Sequence, residues 1–271
     1  MIEQQETKLK NERNDIENSL VRQKKEFVEM LEEIKSDLDK FKDYENKRKE
    51  DEYNKTIANI NLKLQQLSEE MQRINEQEAD LDFPISEYAL IDECKQQIKP
   101  YEELWKLVKE FQFKMNLWND GDLLKLDPEE VEKDHKTMYS SANKLQIRFS
   151  TMKILKAEKI ATDIRDDLHK FREYLPVIRS ICNPGLKPRH IAEIEKLIGK
   201  GLSENEKLKT LVVLGISKHK DKLEDISETA SKEYSNERTL AKMNEDWAPM
   251  EFTCKDWKGS QILDGEAIEL I

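Results

Sequence analysis

Side chains that could bind a metal or act as a nucleophile are few and widely separated in this chain. The histidines and cysteines are His135, His169, His190, His219, Cys94, Cys182 and Cys254. Metal and redox sites built from such residues recur at short spacings such as CxxC, and no pair here has one. We therefore predict no catalytic residue and no metal ligand, cysteines that stay reduced, and histidines in surface or capping positions.

Phosphate-binding and acid–base motifs are equally weak. Gly199-Lys200-Gly201 resembles a phosphate loop only in part, because it follows a helical pattern rather than a strand and no Ser or Thr follows the lysine. Asp166 and Asp167 are adjacent, and neighbours on a helix point in different directions, so they cannot flank one bond. The sequence predicts no cofactor-binding residue and no enzymatic activity for this segment.

The composition predicts long helices rather than a compact α/β domain. Charged residues make up 38% of the 271 residues, and the chain has only seven glycines and seven prolines. The net charge of −11 argues against a nucleic-acid partner, whose binding requires neutralisation of phosphates. No apolar run is long enough to cross a bilayer, and the polar N-terminus is not a signal peptide, so we expect an intracellular protein with no membrane partner.

Residues 1–82 carry the narrow apolar stripe of a coiled coil. Two runs follow alternating steps of three and four residues, namely Phe27, Leu31, Ile34, Leu38, Phe41 and then Tyr53, Ile57, Ile60, Leu64, Leu67, Met71, Ile74. The runs are out of phase across the polar stretch 42–52. Either the chain turns back there as a hairpin of two helices, or one long helix rotates its stripe. No glycine or proline marks a turn, which favours the continuous helix.

Residues 83–182 predict a packed helical unit with an aromatic core. The first of its helices is expected to stop before Pro100, because proline removes a backbone donor. Asp127 and Pro128 are typical of a helix start, where the aspartate caps and the missing N–H of proline does no harm. The expected helices span about 86–98, 101–120, 128–149 and 152–174.

The stretch 175–190 predicts a rigid corner between two helices. Pro176 is expected to end or kink the helix before it, and Pro188 suits the first turn of the next helix. Asn183-Pro184-Gly185 is typical of a tight turn, in which glycine can take a positive φ. The residues of this corner motif are Pro176, Cys182, Asn183, Pro184, Gly185, Leu186, Pro188, Arg189 and His190.

Residues 183–271 combine further helices with one change of period. Helices are expected over 189–198, from a capping box at 203–206, and over about 218–247. Alternation within about 250–263 predicts a small β-hairpin. Asp264 would then cap a helix that is cut short, so we expect a fragment truncated at its C-terminus.

The fold class that follows is all-α and elongated. We predict a long coiled-coil-like N-terminal helix or hairpin, then packed helical bundles, with one small β-hairpin near the C-terminus. The expected domains are a heptad-patterned tail segment at 1–82, a helical subdomain at 83–182, and a second helical subdomain at 183–271. One function open to such a chain is a structural scaffold that dimerises through 1–82 and docks partners through 83–271.

Several motifs in one order resemble the linker of the dynein heavy chain. They are Pro100-Tyr101-Glu102-Glu103-Leu104-Trp105, Leu175-Pro176-Val177-Ile178, Cys182-Asn183-Pro184-Gly185-Leu186-Lys187-Pro188-Arg189-His190, Ala230-Ser231-Lys232-Glu233 and Met250-Glu251-Phe252. The resemblance covers about 83–271, and 1–82 match only as a helical tail. Ile191 departs from the family, which commonly has tryptophan there, so the contact of that larger ring is in doubt. The details are most similar to an axonemal, inner-arm heavy chain.

The resemblance implies a mechanical role rather than a chemical one. The segment would be the tail-to-linker junction and the N-terminal part of the linker, a force-transmitting element of an ATP-driven, microtubule-based motor. Its implied partners are the AAA+ ring and remaining linker of the same heavy chain, and the dynein tail with its associated chains. ATP, magnesium and the microtubule would bind only to domains outside these residues. The implied location is cytoplasmic and cytoskeletal, in the axoneme of a cilium or flagellum.

Overall fold

The computed structural model describes residues 2–249 and 254–263, which form nine α-helices and one antiparallel two-stranded sheet. The helices are α1 Ile2–Lys40, α2 Glu50–Asp80, α3 Ala89–Asp120, α4 Pro128–Thr151, α5 Leu155–Phe171, α6 Leu175–Ile181, α7 Pro188–Ile198, α8 Leu208–Val213 and α9 Lys220–Trp247. The strands are β1 Cys254–Trp257 and β2 Ser260–Leu263. The mostly helical class with a small β-hairpin is confirmed. Residues 250–253 of the expected hairpin and the helix expected from Asp264 lie outside the described residues.

The first two helices form a hairpin, so the continuous helix that the sequence favoured is wrong. Two short 3-10 turns, Phe41–Asp43 and Lys47–Lys49, separate α1 from α2. Lys63 of α2 pairs with Glu33 of α1 at 3.1 Å, which shows that the helices lie side by side. Aromatic packing replaces the glycine or proline expected at such a turn, because the ring of Tyr44 stacks on Tyr53 with centroids 4.2 Å apart.

The apolar stripes of α1 and α2 are buried within the chain itself. Both helices also contact α3, so the stripe residues face a core shared by three helices. The stripe residues with at most 3% exposure are Phe27, Leu31, Ile34, Leu38, Phe41, Ile57, Ile60, Leu64, Leu67 and Ile74. A coiled-coil seam requires a partner helix. For α1 and α2 the partners are each other and α3, all within one chain.

Helix α3 runs through Pro100, so the predicted break before this residue is wrong. A proline inside a helix removes one backbone hydrogen bond, and this cost is offset here by burial of Pro100 with Tyr101 and Trp105. The predicted aromatic core is largely confirmed by the burial of Trp118, but Phe113 is 65% exposed. The next helix begins at Pro128, as the sequence predicts.

Contacts divide the chain into two compact units that are interleaved along the sequence. Unit 1 comprises Met1–Gly121 and Glu129–Glu173, and unit 2 comprises Asp122–Pro128 and Tyr174–Ile271. The three predicted domains, 1–82, 83–182 and 183–271, remain a prediction of domain organisation. The predicted corner lies entirely in unit 2.

Candidate functional site

Helix α6 lies within the corner and α7 begins in it, and each has a proline in its first turn. Pro176 lies in the first turn of α6, so it starts this helix rather than kinking or ending a longer one. A 3-10 turn, Arg172–Tyr174, precedes it. Pro188 is the first residue of α7, and the residue before it, Lys187, is extended as proline requires. The predicted role of Pro188 is confirmed.

Asn183 shapes the turn and attaches it to α9. Its Oδ1 accepts a hydrogen bond from the backbone N–H of Gly185 at 2.8 Å, which closes an Asx turn. Its Nδ2 lies 2.9 Å from the carbonyl oxygen of Ser227 and 2.8 Å from the hydroxyls of Ser227 and Ser231. One side chain therefore bonds both the corner and the helix on which the corner packs.

Gly185 is required for a close approach and not for a positive φ. The described glycines with a positive φ are Gly199, Gly215 and Gly259, so the positive φ considered for Gly185 is not present. A Cβ at Gly185 would lie 2.9 Å from the carbonyl oxygen of Ala230 and 3.1 Å from the Cβ of Tyr234. The backbone of the corner thus packs directly on the backbone of α9.

Charged side chains continue this contact along α9. Lys187 pairs with Glu237 and Arg189 pairs with Glu233. The hydrogen bond from Arg189 is the main cause that lowers the pKa of Glu233 below its usual range. These pairs are partly exposed, so we expect them to orient the two segments more than to stabilise them.

His190 lies beneath these pairs and is only 4% exposed, so of the two predicted positions, surface or capping, it does not take the surface one. The predicted capping role is present, because its Nδ1 accepts a hydrogen bond from the backbone N–H of Lys187 at 3.2 Å. A ring nitrogen that accepts carries no proton, so the proton of the neutral ring is assigned to Nε2, 3.3 Å from Glu233. His135 is also buried, and its Nε2 lies 2.7 Å from the carbonyl oxygen of Leu168.

Cys182 anchors the other side of the corner. Its thiol donates to the carbonyl oxygen of Leu123 at 3.0 Å. Burial raises the pKa of this thiol to about 12, which suits a structural cysteine rather than a nucleophile. The backbone N–H of Leu123 donates in turn to the carbonyl oxygen of Glu206 at 2.8 Å.

Glu206 is a buried carboxylate that the sequence pattern assigned to a helix start. Ser203 does contact it at 3.4 Å, but α8 begins only at Leu208, so the capping box starts no helix. The carboxylate instead accepts from Nζ of Lys200 at 2.8 and 2.9 Å. Burial alone would raise the pKa of Glu206, but the hydrogen bonds from Lys200 and neighbouring backbone groups hold it below its usual range. Lys200, the lysine of the partial phosphate loop, is thus paired within the fold.

Comparison with known proteins identifies the family. Residues 91–271 match the family described as dynein heavy chain, N-terminal region 2. The chain belongs to the dynein heavy chain family. It is 30% identical over 250 residues to dynein axonemal heavy chain 3 of Homo sapiens and 29% identical over 249 residues to that of Mus musculus, in each case over 90% of this chain. Dynein axonemal heavy chain 1 of Homo sapiens is 24% identical over 188 residues, or 69% of this chain. The chain spans only 6%, 6% and 4% of the length of these three relatives.

The corner therefore lies within the part of the chain that matches the dynein family. Within residues 2–249 and 254–263, no group of three or more His, Cys, Asp or Glu side chains is placed to hold a metal ion. In that same part of this dynein segment, no helix is long and apolar enough to cross a membrane. The corner holds its own backbone against α9. The contacts are those of Asn183 and Gly185 and the ion pairs with Glu233 and Glu237.

An ion pair with one buried partner, outside residues 91–271, escaped the sequence analysis. Glu78 is 1% exposed, and its Oε1 lies 2.5 Å from Nζ of Lys24 and 2.6 Å from the hydroxyl of Ser86. Its Oε2 accepts from the backbone N–H of Ser86 at 2.6 Å. The sequence did contain a signal of this pair. Lys24 lies three residues before Phe27, and Glu78 lies four residues after Ile74, so each continues one apolar stripe by a single step. Opposite charges on two facing stripes predict a hairpin, since each charge needs a buried partner.

Proposed function

We propose that this chain is the tail-to-linker junction and the N-terminal part of the linker in a dynein heavy chain, and that it transmits force. The observation that carries the proposal is the match of residues 91–271 to the N-terminal region of dynein heavy chains. The corner supports it, since a joint that transmits force needs rigid contacts. Gly185 brings two backbones within van der Waals distance, and Asn183 holds them there.

The remaining steps of the motor cycle belong to other parts of the heavy chain in this proposal. ATP and magnesium bind the AAA+ ring, and the microtubule binds a separate domain. This segment contacts the ring and the rest of the linker on one side and the tail with its associated chains on the other. Because relatives are named axonemal heavy chains, we place the protein in the axoneme of a cilium or flagellum.

A test requires the full-length heavy chain that contains this segment. Asn183→Ala combined with Glu237→Ala weakens the attachment of the corner to α9 without changing the domains that bind ATP in this proposal. We expect ATP turnover to persist while microtubule gliding slows, because a looser lever delivers less displacement for each cycle. Glu228→Ala is the matched control, since the ion pair of Glu228 lies along α9 itself, with Lys232 at 2.7 Å. Unchanged gliding in a double variant whose corner is shown to be loosened would contradict the proposal.

A second measurement concerns the 271-residue chain alone. It should neither hydrolyse ATP nor sediment with microtubules, and ATPase activity in a contaminant-free sample would overturn the proposal. The scaffold alternative is not favoured, because the stripe through which residues 1–82 would dimerise is buried against helices of the same chain.

A further inference from the structure

Helix α3 has a weak point at Pro100. Proline has no backbone N–H, so the carbonyl oxygen of Gln96 loses the hydrogen bond that a helix normally supplies from four residues later. The proline ring also crowds that carbonyl, and an interior proline usually kinks or breaks a helix. Yet α3 runs as one helix over Ala89–Asp120, with Pro100 inside it. Contacts with other elements can oppose bending at this residue.

Side chains of the preceding hairpin contact α3 on both sides of Pro100. Before the proline, Nζ of Lys95 donates to the hydroxyl of Ser68 at 2.7 Å. After it, Nδ2 of Asn61 donates to the carboxylate of Glu102 at 3.3 Å. The contacts that follow along α3 are Asn54 to the carbonyl oxygen of Trp105 at 3.2 Å, Lys109 to Asp51 at 2.7 Å, and Gln112 to the carbonyl oxygen of Lys47 at 2.8 Å. Residue numbers fall along the hairpin as they rise along α3, so a single antiparallel interface crosses the proline.

Aromatic side chains pack along the same interface. The ring of Tyr53 lies against Trp105 with centroids 4.5 Å apart, and the rings of Phe41 and Tyr101 are 5.5 Å apart. Pro100, Tyr101 and Trp105 are all buried. If α3 bent at the proline, these rings would separate or the hydrogen bonds on one side would break. An interface that crosses a weak point holds the segments on either side of it in line.

We propose that the α1–α2 hairpin stabilises α3 against bending at Pro100. The part of the chain that matches the dynein family, 91–271, begins within α3, and the hairpin precedes it. The proposal therefore gives residues 1–82 a function, which is to keep the first helix of the matched region straight. Helix α2 and the turn before it make the direct contacts, and α1 packs on both α2 and α3. This role is independent of the proposed force transmission, because it concerns one helix within unit 1.

Hydrogen exchange of backbone amides tests this role in the 271-residue chain. The triple variant Asn54→Ala, Asn61→Ala, Ser68→Ala removes the three side-chain hydrogen bonds nearest the proline and leaves the aromatic contacts in place. We expect the amides of 101–104, the turn after the proline, to exchange roughly tenfold faster than in the parent chain. Amides of α5, which lies in the same unit, should keep their exchange rates.

Lys63→Ala is the matched control on α2. Its ion pair with Glu33, at 3.1 Å, joins α2 to α1 rather than to α3. The exchange rates of the 101–104 amides should therefore stay at those of the parent chain in this variant. Acceleration equal to that of the triple variant would overturn the proposal, because any weakening of the hairpin would then have the same effect.

A second background assigns the effect to Pro100. Pro100→Ala restores the missing N–H, so α3 no longer depends on the hairpin at this point. In that background the same triple substitution should accelerate the 101–104 amides by less than about threefold. Equal acceleration in both backgrounds would overturn the proposal, because the bonds would then stabilise α3 without compensating for the proline. Unchanged exchange in the triple variant would also overturn it, as would equal acceleration in α5, which would show general unfolding.

Discussion

Gly185→Ala tests whether the corner is held by close backbone contact. The new Cβ would lie 2.9 Å from the carbonyl oxygen and 3.2 Å from the carbonyl carbon of Ala230, both backbone atoms that cannot swing away. Overpacking of this kind costs about 1–3 kcal/mol. Alanine also lowers the conformational entropy of the unfolded chain, which stabilises the folded state by about 0.4–1 kcal/mol. We expect a net loss of about 1–2 kcal/mol in the stability of the corner.

The thiol of Cys182 reports this loss locally. It is bonded inside the corner, and its raised pKa leaves little thiolate at neutral pH, so alkylation depends on opening of the site. A loss of about 1–2 kcal/mol raises the open population by a factor of roughly 5–30. The rate at Cys182, followed by mass spectrometry, should rise by that factor. The rate at Cys94, which is buried in unit 1, should not change.

Gly201→Ala is the matched control. The nearest atom to a Cβ there is Oε1 of Glu195 at 3.6 Å, and Gly201 has no positive φ, so we expect no loss or a gain of about 0.4–1 kcal/mol. The close-contact argument fails if Gly185→Ala leaves the rate at Cys182 unchanged. It also fails if Cys94 is accelerated equally, because the effect would then be global.

Three other substitutions test the fold at separate points. Asn183→Ala removes the bonds to α9 and should accelerate alkylation of Cys182, with a loss of about 1–3 kcal/mol; an unaltered rate would show that these bonds contribute little. Gly199→Ala places a side chain at φ 75° at the end of α7 and should lower the urea midpoint of unfolding by an equivalent of about 1–2 kcal/mol, whereas an unmoved midpoint would contradict strain there. Glu78→Gln should remove a pH dependence. Burial would raise the pKa of Glu78, but Lys24 and Ser86 lower it below the ordinary 4.5, so its stabilisation is complete above that pH and is lost as pH falls through the folded pKa. When the pH is lowered from neutral to acidic, the urea midpoint of unfolding should therefore fall less in the variant than in the parent chain.

The sequence predicts those features of the fold that depend on local pattern. The start of α4 at Pro128 and the start of α7 at Pro188 follow from backbone chemistry that acts within a few residues. The stripes of α1 and α2 follow from helical periodicity. The turn between them was misread, because its stability comes from aromatic contacts such as Phe41 with Tyr101, whose ring centroids are 5.5 Å apart. Residues so distant in sequence give no local signal of their contact.

The corner shows the same division between local and distant causes. Its turn is predictable, because Asn183, Pro184 and Pro188 restrict their own backbone and that of their neighbours. Its attachment is not, because the serines that Asn183 contacts lie 44 and 48 residues away. Gly185 shows the difference most clearly. The sequence suggests conformational freedom as its role, and the structure shows that the missing side chain leaves room for α9.

The hydrogen bond between Cys182 and Leu123 limits when unit 2 can fold while the chain is being synthesised. Leu123 belongs to the short segment 122–128, which lies in unit 2 although residues on both sides of it lie in unit 1. During synthesis this segment emerges before unit 1 is complete and must wait for Cys182 and Glu206 to emerge later. Unit 2 therefore cannot finish folding before the polypeptide of unit 1 has been made. An expression fragment that starts at Tyr174 would lack the backbone groups that Cys182 and Glu206 bond, whatever boundary its helices suggest.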